Sequence, residues 1–238
     1  MQTYTGSSIL SVPSWVIPGS YAENLRFLEC KKEIKGVELL FFIYDDETKN
    51  VLDSEWEKIQ NFRERFVFTA HLPELLQPAH EGLVALLAPL VRHFVVHPAA
   101  QSYMEQARLL AEWTKYLGAS FLVENIKAGL LEALLPHLEK SVGICMDTGH
   151  LLVDGQNPAE FFARYRERIG EIHLHSVDKE QAAIDGKLPD HRQLRRDESW
   201  LLELIPLLDN YRGVINLEVF SWEEAKAGIE VLHFFRKP

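Results

Sequence analysis

The sequence predicts one α/β domain over residues 1–238, a (β/α)8 barrel, on three observations. Seven short runs rich in β-branched and aromatic residues, and a weaker eighth, alternate with longer segments of helical spacing. The runs are almost uninterruptedly apolar, which is typical of strands buried on both faces of a parallel sheet. A βα unit of such a barrel takes roughly 25–30 residues, and the chain has 238. An open doubly wound sheet is the alternative, but eight units would be many for this length.

The predicted strands follow one another at fairly regular intervals along the chain. The first, near Thr5–Val12, is the weakest. The others are Gly36–Ile43, Phe66–His71, His93–His97, Ser120–Glu124, Val142–Asp147, Ile169–His175 and Val214–Val219. No Pro/Gly/Ser-rich linker or charge block separates them, so nothing marks a domain boundary.

The segments between the strands carry apolar residues at three- or four-residue spacing, as amphipathic helices do. In Ala99–Leu117 this stripe consists of Met104, Ala107, Leu110, Ala111, Trp113 and Leu117. Further helices are predicted in Ala128–Lys140, Trp200–Leu208 and Trp222–Phe235. Ser20 before Tyr21–Leu28 and Asn157 before Pro158 are predicted N-caps, the second with proline at the first helical position.

Composition restricts the class of protein. The chain has 25 Lys+Arg and 35 Asp+Glu, a formal net charge of −10, which disfavours binding of nucleic acid through phosphate neutralisation. No apolar run is long enough to span a membrane, and the first residues lack the basic and apolar regions of a signal peptide. Two cysteines, Cys30 and Cys145, cannot form a disulfide framework. We therefore expect a cytoplasmic protein without a membrane partner.

Side chains that can bind metals stand at the carboxyl end of most predicted strands. In chain order they are His71, His97, Glu124, Asp147, His173 and Glu218. The first five are separated by 26, 27, 23 and 26 residues, about one βα unit each, and 45 residues separate His173 from Glu218. The carboxyl ends of barrel strands meet at one rim, where barrel enzymes have their active sites. We expect these side chains to converge there.

The residue types at this rim indicate a metal site. Histidine and carboxylate together suit Zn, Mn or Fe, and several buried carboxylates without a cation would be strongly unfavourable. His150 follows Asp147 by three residues, so both side chains can reach the same point. His173 and His175 are two apart and would face the same side of a strand. By contrast, His80, His93, His137 and His233 fall outside the pattern, and Cys145 is interpreted as a buried structural thiol.

The long interval before Glu218 contains an insertion, Asp178–Arg196, with turn residues at Asp185-Gly186 and Pro189. One interpretation is a solvated loop. The other is a rim loop that brings Asp190 and His191 to the metals and offers a cation to an anionic substrate group. The candidate cations are Lys187, Arg192, Arg195 and Arg196. Adjacent Asp190 and His191 could both coordinate a metal only from an irregular backbone.

These motifs resemble the xylose-isomerase-like TIM barrel superfamily over nearly the whole chain. The segments that carry the resemblance are TAHLP, VVHPA, LVENI, CMDTGH, IHLHSVD, PDH and NLEVF. The superfamily includes sugar-phosphate isomerases and epimerases and the apurinic-site (AP) endonucleases of the endonuclease IV type. The resemblance implies metal ligands at His71, His97, Glu124, Asp147, His150, His173, Asp190, His191 and Glu218. The family has one residue between the Asp and His of the pair aligned with Asp190 and His191, which are adjacent here.

Two branches of the superfamily compete for the function. The isomerases hold one ion with two carboxylates, an Asp and a His, and use two Glu as acid and base, roles that Glu124 and Glu218 could fill. The additional histidines, His71, His97 and His150, exceed the needs of one ion and favour a multinuclear site that cleaves a phosphate ester. An AP endonuclease is a further alternative, disfavoured by the net charge and the short chain.

The opening SVPSWVIPGSYAENLRFLE, then GVELLFF, then HLHSVD in combination with the later DH, are similar to the cobamide-remodelling phosphodiesterases of the superfamily. The resemblance implies hydrolysis of the nucleotide-loop phosphodiester of a cobamide by two or more divalent ions, with Zn or Mn preferred. Glu124 and Glu218 would position the attacking water, and His175 would support a ligand or face the substrate. A binding protein without activity is a rival, but it would be expected to have an incomplete ligand set.

Overall fold

The computed structural model describes residues 8–178 and 189–235, and within them eight parallel strands close into a barrel in the order β1 to β8. Pairing of Leu10 with Ile215 joins the first strand to the last. The strands are β1 (Ile9–Pro13), β2 (Gly36–Leu40), β3 (Val67–His71), β4 (Val91–Val96), β5 (Phe121–Glu124), β6 (Gly143–Asp147), β7 (Ile169–His173) and β8 (Val214–Asn216). The predicted α/β fold class, a (β/α)8 barrel, is confirmed.

Several strands end earlier than the apolar runs predict. Strand β7 stops at His173 and β8 at Asn216, because these two residues form the last pair of their ladder. His175 and Glu218 therefore lie just beyond the strands, on backbone that turns across the rim. The weak first run begins outside the described residues, and β1 accounts for its second half.

Helices surround the barrel and connect its strands. They are α1 (Tyr21–Leu28), α2 (Asp46–Gln60), α3 (Glu81–Leu87), α4 (Tyr103–Leu117), α5 (Leu130–Leu134), α6 (Thr148–Val153), α7 (Pro158–Tyr165), α8 (Ser199–Leu204) and α9 (Trp222–Phe235). Helices α5 and α8 each continue into 3-10 turns, at Leu135–His137 and Ile205–Asn210. None of the helices in the described ranges is long and apolar enough to cross a membrane.

Two predicted N-caps are confirmed. The side chain of Ser20 accepts a hydrogen bond from the backbone N–H of Glu23, whose carboxylate accepts one from the Ser20 N–H, which forms a capping box. Asn157 caps α7 through the N–H of Ala159. One helix prediction is wrong in detail: α4 begins only at Tyr103, and Met104, predicted to lie in the apolar stripe, is 73% exposed.

The hydrophobic core lies between the strands and the helices. Phe94 and Phe121 stack across neighbouring strands with ring centroids 5.5 Å apart, and Trp113 of α4 packs onto Phe121. All three rings are buried. Since all eight strands run in the same direction, their carboxyl ends lie together at one end of the barrel.

Candidate metal centre

The carboxyl ends of the strands surround a cavity of about 1010 Å³. Six predicted site residues line it: His71, His97, Glu124, His150, His191 and Glu218. The other lining residues are Trp15, Ile17, Pro18, Phe42, Ile43, Glu74 and Phe220. Asp147, His173 and His175 are fully buried directly beneath these side chains. The expectation that the strand-end residues converge is therefore met in the geometry.

A first group of candidate ligands consists of His71, His97 and Glu124. Glu124 Oε2 lies 3.1 Å from His71 Nε2 and 3.0 Å from His97 Nε2. His71 Nδ1 lies 2.9 Å from the carbonyl oxygen of Leu72, to which it can only donate. In the neutral ring the lone pair is then on Nε2, facing the cavity, which is the orientation that a metal ligand needs.

A second group, fully buried, consists of Glu124, Asp147, His173 and Glu218. His173 Nδ1 lies 2.9 Å from Glu124 Oε1 and 3.1 Å from Glu218 Oε2. Asp147 Oδ2 is 3.9 Å from the same nitrogen. Glu124 belongs to both the first and the second group, one carboxylate oxygen facing each.

A third group consists of His175, His191 and Glu218. Glu218 Oε2 lies 3.6 Å from both His175 Nε2 and His191 Nδ1. Asp190 and His150 lie at the edge of this group, with 3.7 Å between Asp190 Oδ2 and His150 Nδ1. His191 has a φ of +51°, so the backbone here is irregular, as the adjacency of Asp190 and His191 requires.

Glu218 provides the sharpest test of whether these groups suit cations. Its Oε2 atom is buried and accepts no hydrogen bond from the described residues, although nitrogens of His173, His175 and His191 surround it. A buried anionic oxygen without a donor is costly unless a cation is nearby. The residues therefore fit divalent metal ions, which bind to carboxylate oxygens and neutral imidazole nitrogens.

The buried histidines and carboxylates shift one another's pKa values. Burial would raise the pKa of Glu124, but the charge of His173 and hydrogen bonds from His173 and His71 hold it well below its usual value. Burial lowers the pKa of His71, yet the hydrogen bond to Glu124 and its charge raise it to about 9. Burial likewise lowers the pKa of His175, but the charges of Asp147 and Glu218 and the hydrogen bond to Asp147 raise it to about 9. Glu124 is thus a carboxylate at neutral pH, a form that binds metal directly.

Sequence reasoning missed the residues that support the candidate ligands from inside the barrel. Glu38 Oε1 lies 3.2 Å from His173 Nε2, and Asn216 donates a hydrogen bond to Glu38 Oε2 at 2.6 Å. His93, predicted to lie outside the pattern, is a buried histidine 2.6 Å from Glu171. Glu38 and Glu171 stand inside apolar strand runs, and a carboxylate within such a run is the signal that could have indicated them.

The CMDTGH segment supports the site from the side. Asn125, next to Glu124, bonds to both the N–H and the carbonyl of Asp147 at 2.9 Å. Thr148 Oγ1 donates to the carbonyl of His175 at 2.7 Å and accepts its N–H at 3.0 Å. Gly149 leaves room for the imidazole, since a Cβ there would lie 2.0 Å from His175 Cε1.

The insertion is predicted to bring two side chains to the rim and to offer a cation there, and the structure shows the first of these. Asp190 and His191 reach the rim, whereas Arg195 lies beside Asp197 and Arg196 over the ring of Phe234. Lys187, Asp185 and Gly186 are outside the described residues. The described residues that line the cavity include no Lys or Arg, so Arg192, Arg195 and Arg196 do not contribute to the cavity wall.

A barrel whose carboxyl rim carries a cluster of histidines and carboxylates defines a class of candidate metal-dependent proteins. Within that class, residues 43–236 match the family model described as xylose isomerase-like TIM barrel. The match covers well over half of the chain, which therefore belongs to this family.

A curated relative is similar over a short stretch only. The inosose dehydratase of Lacticaseibacillus casei is 42% identical over 50 residues, which cover 21% of this chain and 16% of that protein. The match thus spans about one sixth of the relative's length.

Solved structures share the fold at low sequence identity. The probable 3-DHS dehydratase AsbF of Bacillus anthracis has a TM-score of 0.76 at 13% identity, covering 97% of this chain and 100% of that one. The IolI protein with a bound zinc atom has a TM-score of 0.65 at 14% identity, with 95% of each chain covered. Endonuclease IV of Thermus thermophilus has a TM-score of 0.56 at 16% identity, covering 95% and 98%.

Proposed function

We propose that the chain is a metal-dependent phosphodiesterase. Five groups of described residues could hold an ion, and the observation that carries this proposal is that the three described above share carboxylates: Glu124 belongs to the first two, and Glu218 to the last two. Carboxylates shared in this way suit two or more ions held close together. Multinuclear sites of this kind typically cleave phosphate esters, because they stabilise both the attacking and the leaving oxygen.

The residues that would hold divalent ions, with Zn or Mn preferred, are His71, His97, Glu124, Asp147, His150, His173, Asp190, His191 and Glu218. Such ions would act as Lewis acids toward a phosphoryl oxygen. They would also lower the pKa of a bound water, so that it can become a nucleophile at neutral pH. The fold similarity to IolI, whose structure contains a zinc atom, supports metal binding by this chain.

Glu124 and Glu218 would position the attacking water. Both line the cavity and both carry oxygens directed toward His173. In the hydrolysis, a water oxygen bonds to phosphorus while one P–O ester bond breaks, the water loses a proton, and the departing alkoxide gains one. A carboxylate at either position can accept the water's proton. His175, buried with its Nε2 2.9 Å from Asp147 Oδ2, would hold that ligand in place.

For the substrate we propose a cobamide, cleaved at its nucleotide-loop phosphodiester. The support is the similarity of the opening SVPSWVIPGSYAENLRFLE, of GVELLFF and of HLHSVD to cobamide-remodelling enzymes. The cavity of about 1010 Å³ also suits a substrate larger than a single sugar.

A sugar or sugar-phosphate isomerase or epimerase is the second candidate. The observation that favours it is the second group, in which Glu124, Asp147, His173 and Glu218 could hold one ion by themselves. Glu124 and Glu218 would then transfer the proton. An endonuclease IV-type activity is supported by fold similarity, but the absence of Lys and Arg from the described cavity lining disfavours a DNA substrate.

The deciding experiment incubates the purified, metal-reconstituted protein with a cobamide and follows the products by chromatography and mass. We expect loss of the nucleotide loop, and we expect chelation to abolish it. Keto sugars and abasic DNA are tested in parallel. Conversion of the sugars without cleavage of the cobamide would replace the proposal by the isomerase, and cleavage of abasic DNA alone would replace it by the endonuclease.

The same assay tests the site residues. His97→Ala and Glu218→Ala should each lower turnover by about 100-fold or more and reduce bound metal, since each removes a ligand of a group. His233→Ala is the matched control, because His233 is exposed on α9. If both site variants kept metal content and turnover near those of the unaltered protein, the assignment of the site would be wrong.

A further inference from the structure

One side of the cavity is apolar. Trp15, Ile43 and Phe220 are large hydrophobic residues that are 56%, 71% and 41% exposed, and all three line the cavity together with Phe42. They follow β1, β2 and β8, which are neighbours in the barrel, so they occupy one continuous sector of the rim. We call Trp15, Phe42, Ile43 and Phe220 the apolar wall.

The apolar wall adjoins the candidate ligands at both ends. The ring of Phe42 contacts that of His71 edge-on, with centroids 4.5 Å apart. The ring of Phe220 lies 5.0 Å from that of His191, and 6.5 Å separate the rings of Phe42 and Phe220. A group seated on the wall would therefore lie beside both the first and the third ligand group.

Single exposed apolar residues are common on protein surfaces, but a cluster of them in a concave site indicates a binding surface. His97, Glu124 and His150 also line the cavity, and they stand at or after the ends of β4, β5 and β6, which lie across the closed barrel from β8, β1 and β2. The four side chains of the apolar wall carry no charge, whereas the candidate ligands beside and across from them suit a reacting charged group.

We propose that the apolar wall binds an apolar face of the substrate, and that Trp15 and Ile43 select phosphodiesters carrying such a face. This rests on the proposed phosphodiesterase function and specifies its substrate class. A sugar phosphate, with a hydroxyl group on most carbons, would leave hydroxyls against Ile43 and Ile17, whose side chains offer no hydrogen-bond partner.

Trp15 and Ile43 are the residues to change, because Phe42 and Phe220 contact candidate ligands and their loss would also disturb the metal groups. The probe is cyanocobalamin, a flat ring system with an attached phosphodiester, and its binding to the full chain is measured by calorimetry. Trp15→Ala and Ile43→Ala should each weaken binding by about ten-fold, which corresponds to roughly 1.4 kcal/mol. Trp15→Phe, which keeps an aromatic surface, should restore most of it.

Tyr116→Ala is the matched control, since Tyr116 is an aromatic residue 54% exposed at the far end of α4. It should bind the probe as the unaltered chain does. Equal binding by the unaltered chain, Trp15→Ala and Ile43→Ala, or no binding at all, would overturn the proposal. Bound metal is measured in each variant, and a loss of metal that accounts for weakened binding would overturn it as well.

Turnover of methyl 4-nitrophenyl phosphate separates this proposal from the function on which it rests. If the chain binds cyanocobalamin through Trp15 and Ile43 but cleaves neither compound, the wall is supported and the phosphodiesterase fails. If it cleaves the small diester and does not bind cyanocobalamin, the phosphodiesterase stands and the wall is rejected. Where both are cleaved, the ratio of kcat/KM for the cobamide to that for the small diester should fall in Trp15→Ala.

Discussion

Glu38 illustrates how single residues outside the cavity determine what the candidate ligands can do. It is completely buried, and it holds the Nε2 side of the His173 ring so that Nδ1 faces Glu124 and Glu218. Burial raises the pKa of Glu38 to about 7, against the opposing charge of His173. A carboxylate behind a metal-binding histidine fixes its orientation and its tautomer.

Glu38→Ala should therefore lower metal affinity by about 10- to 100-fold, the usual cost of losing such a partner. Glu38→Gln should recover part of the loss, because its amide oxygen can still accept from His173 Nε2–H. Affinity is measured by competition with a chelating dye. If Glu38→Ala bound metal as tightly as the unaltered chain, His173 would not depend on Glu38 for its role.

At the scale of elements, the junction of β6 and α6 fixes the geometry of the site. Asp147 ends the strand and caps the helix, with Oδ1 accepting the N–H of His150 at 2.6 Å and Oδ2 facing His175. Thr148 joins the same junction to the backbone of His175. Helix α6 approaches the segment after β7 so closely that only glycine fits at position 149.

Gly149→Ala should displace the His175 ring, because the new methyl group would lie 2.0 Å from its Cε1 atom. We expect loss of the contact with Asp147 and a fall in turnover of about ten-fold or more, with a lower Tm. Gly82→Ala in α3 is the matched control: its Cβ would meet nothing within 4 Å. That change should raise stability by about 0.5–1 kcal/mol, as alanine does inside a helix. Equal turnover in both variants would contradict the role given to Gly149.

For the molecule as a whole, the balance of charge at the barrel rim depends on pH. The chain carries a net charge of −10, and several of its carboxylates are concentrated in the candidate metal centre. Without metal, protonated His71 and His175 neutralise part of this charge, since their pKa values are raised to about 9. Binding of metal requires neutral imidazoles, so it must release protons.

The metal-free protein should lose stability as the pH rises. A histidine whose pKa is raised from 6.5 to about 9 contributes its full stabilisation below its unfolded pKa and loses it as the pH passes through about 9. Each kcal/mol lost lowers the Tm by about 2–4 °C in a chain of this size, so we expect a fall of several degrees between about pH 7 and pH 10.

The control for this prediction is the metal-loaded protein, whose Tm should depend less on pH because its imidazoles are already deprotonated. His71→Ala without metal should also show a smaller fall. A Tm of the metal-free chain that stayed constant or rose over this interval would contradict the raised pKa values. Thermal unfolding followed by circular dichroism provides the measurement.

The barrel could be predicted from the amino-acid sequence alone, because uninterrupted apolar runs and their spacing reflect local burial on both faces of a parallel sheet. The strand-end residues could be predicted as well, since one polar side chain recurs with each βα unit. The ends of the strands could not, as the loss of ladder partners after His173 and Asn216 depends on neighbouring strands.

Which side chains form a group depends on the three-dimensional arrangement of the strands. Glu38 contacts His173 across 135 residues of sequence, and Asn216 contacts Glu38 across 178. The apolar wall likewise depends on the pairing of β8 with β1, because Phe220 follows β8 and Trp15 follows β1. Local patterns report the face on which a residue is buried, whereas the distances between side chains at the rim are set by closure of the barrel.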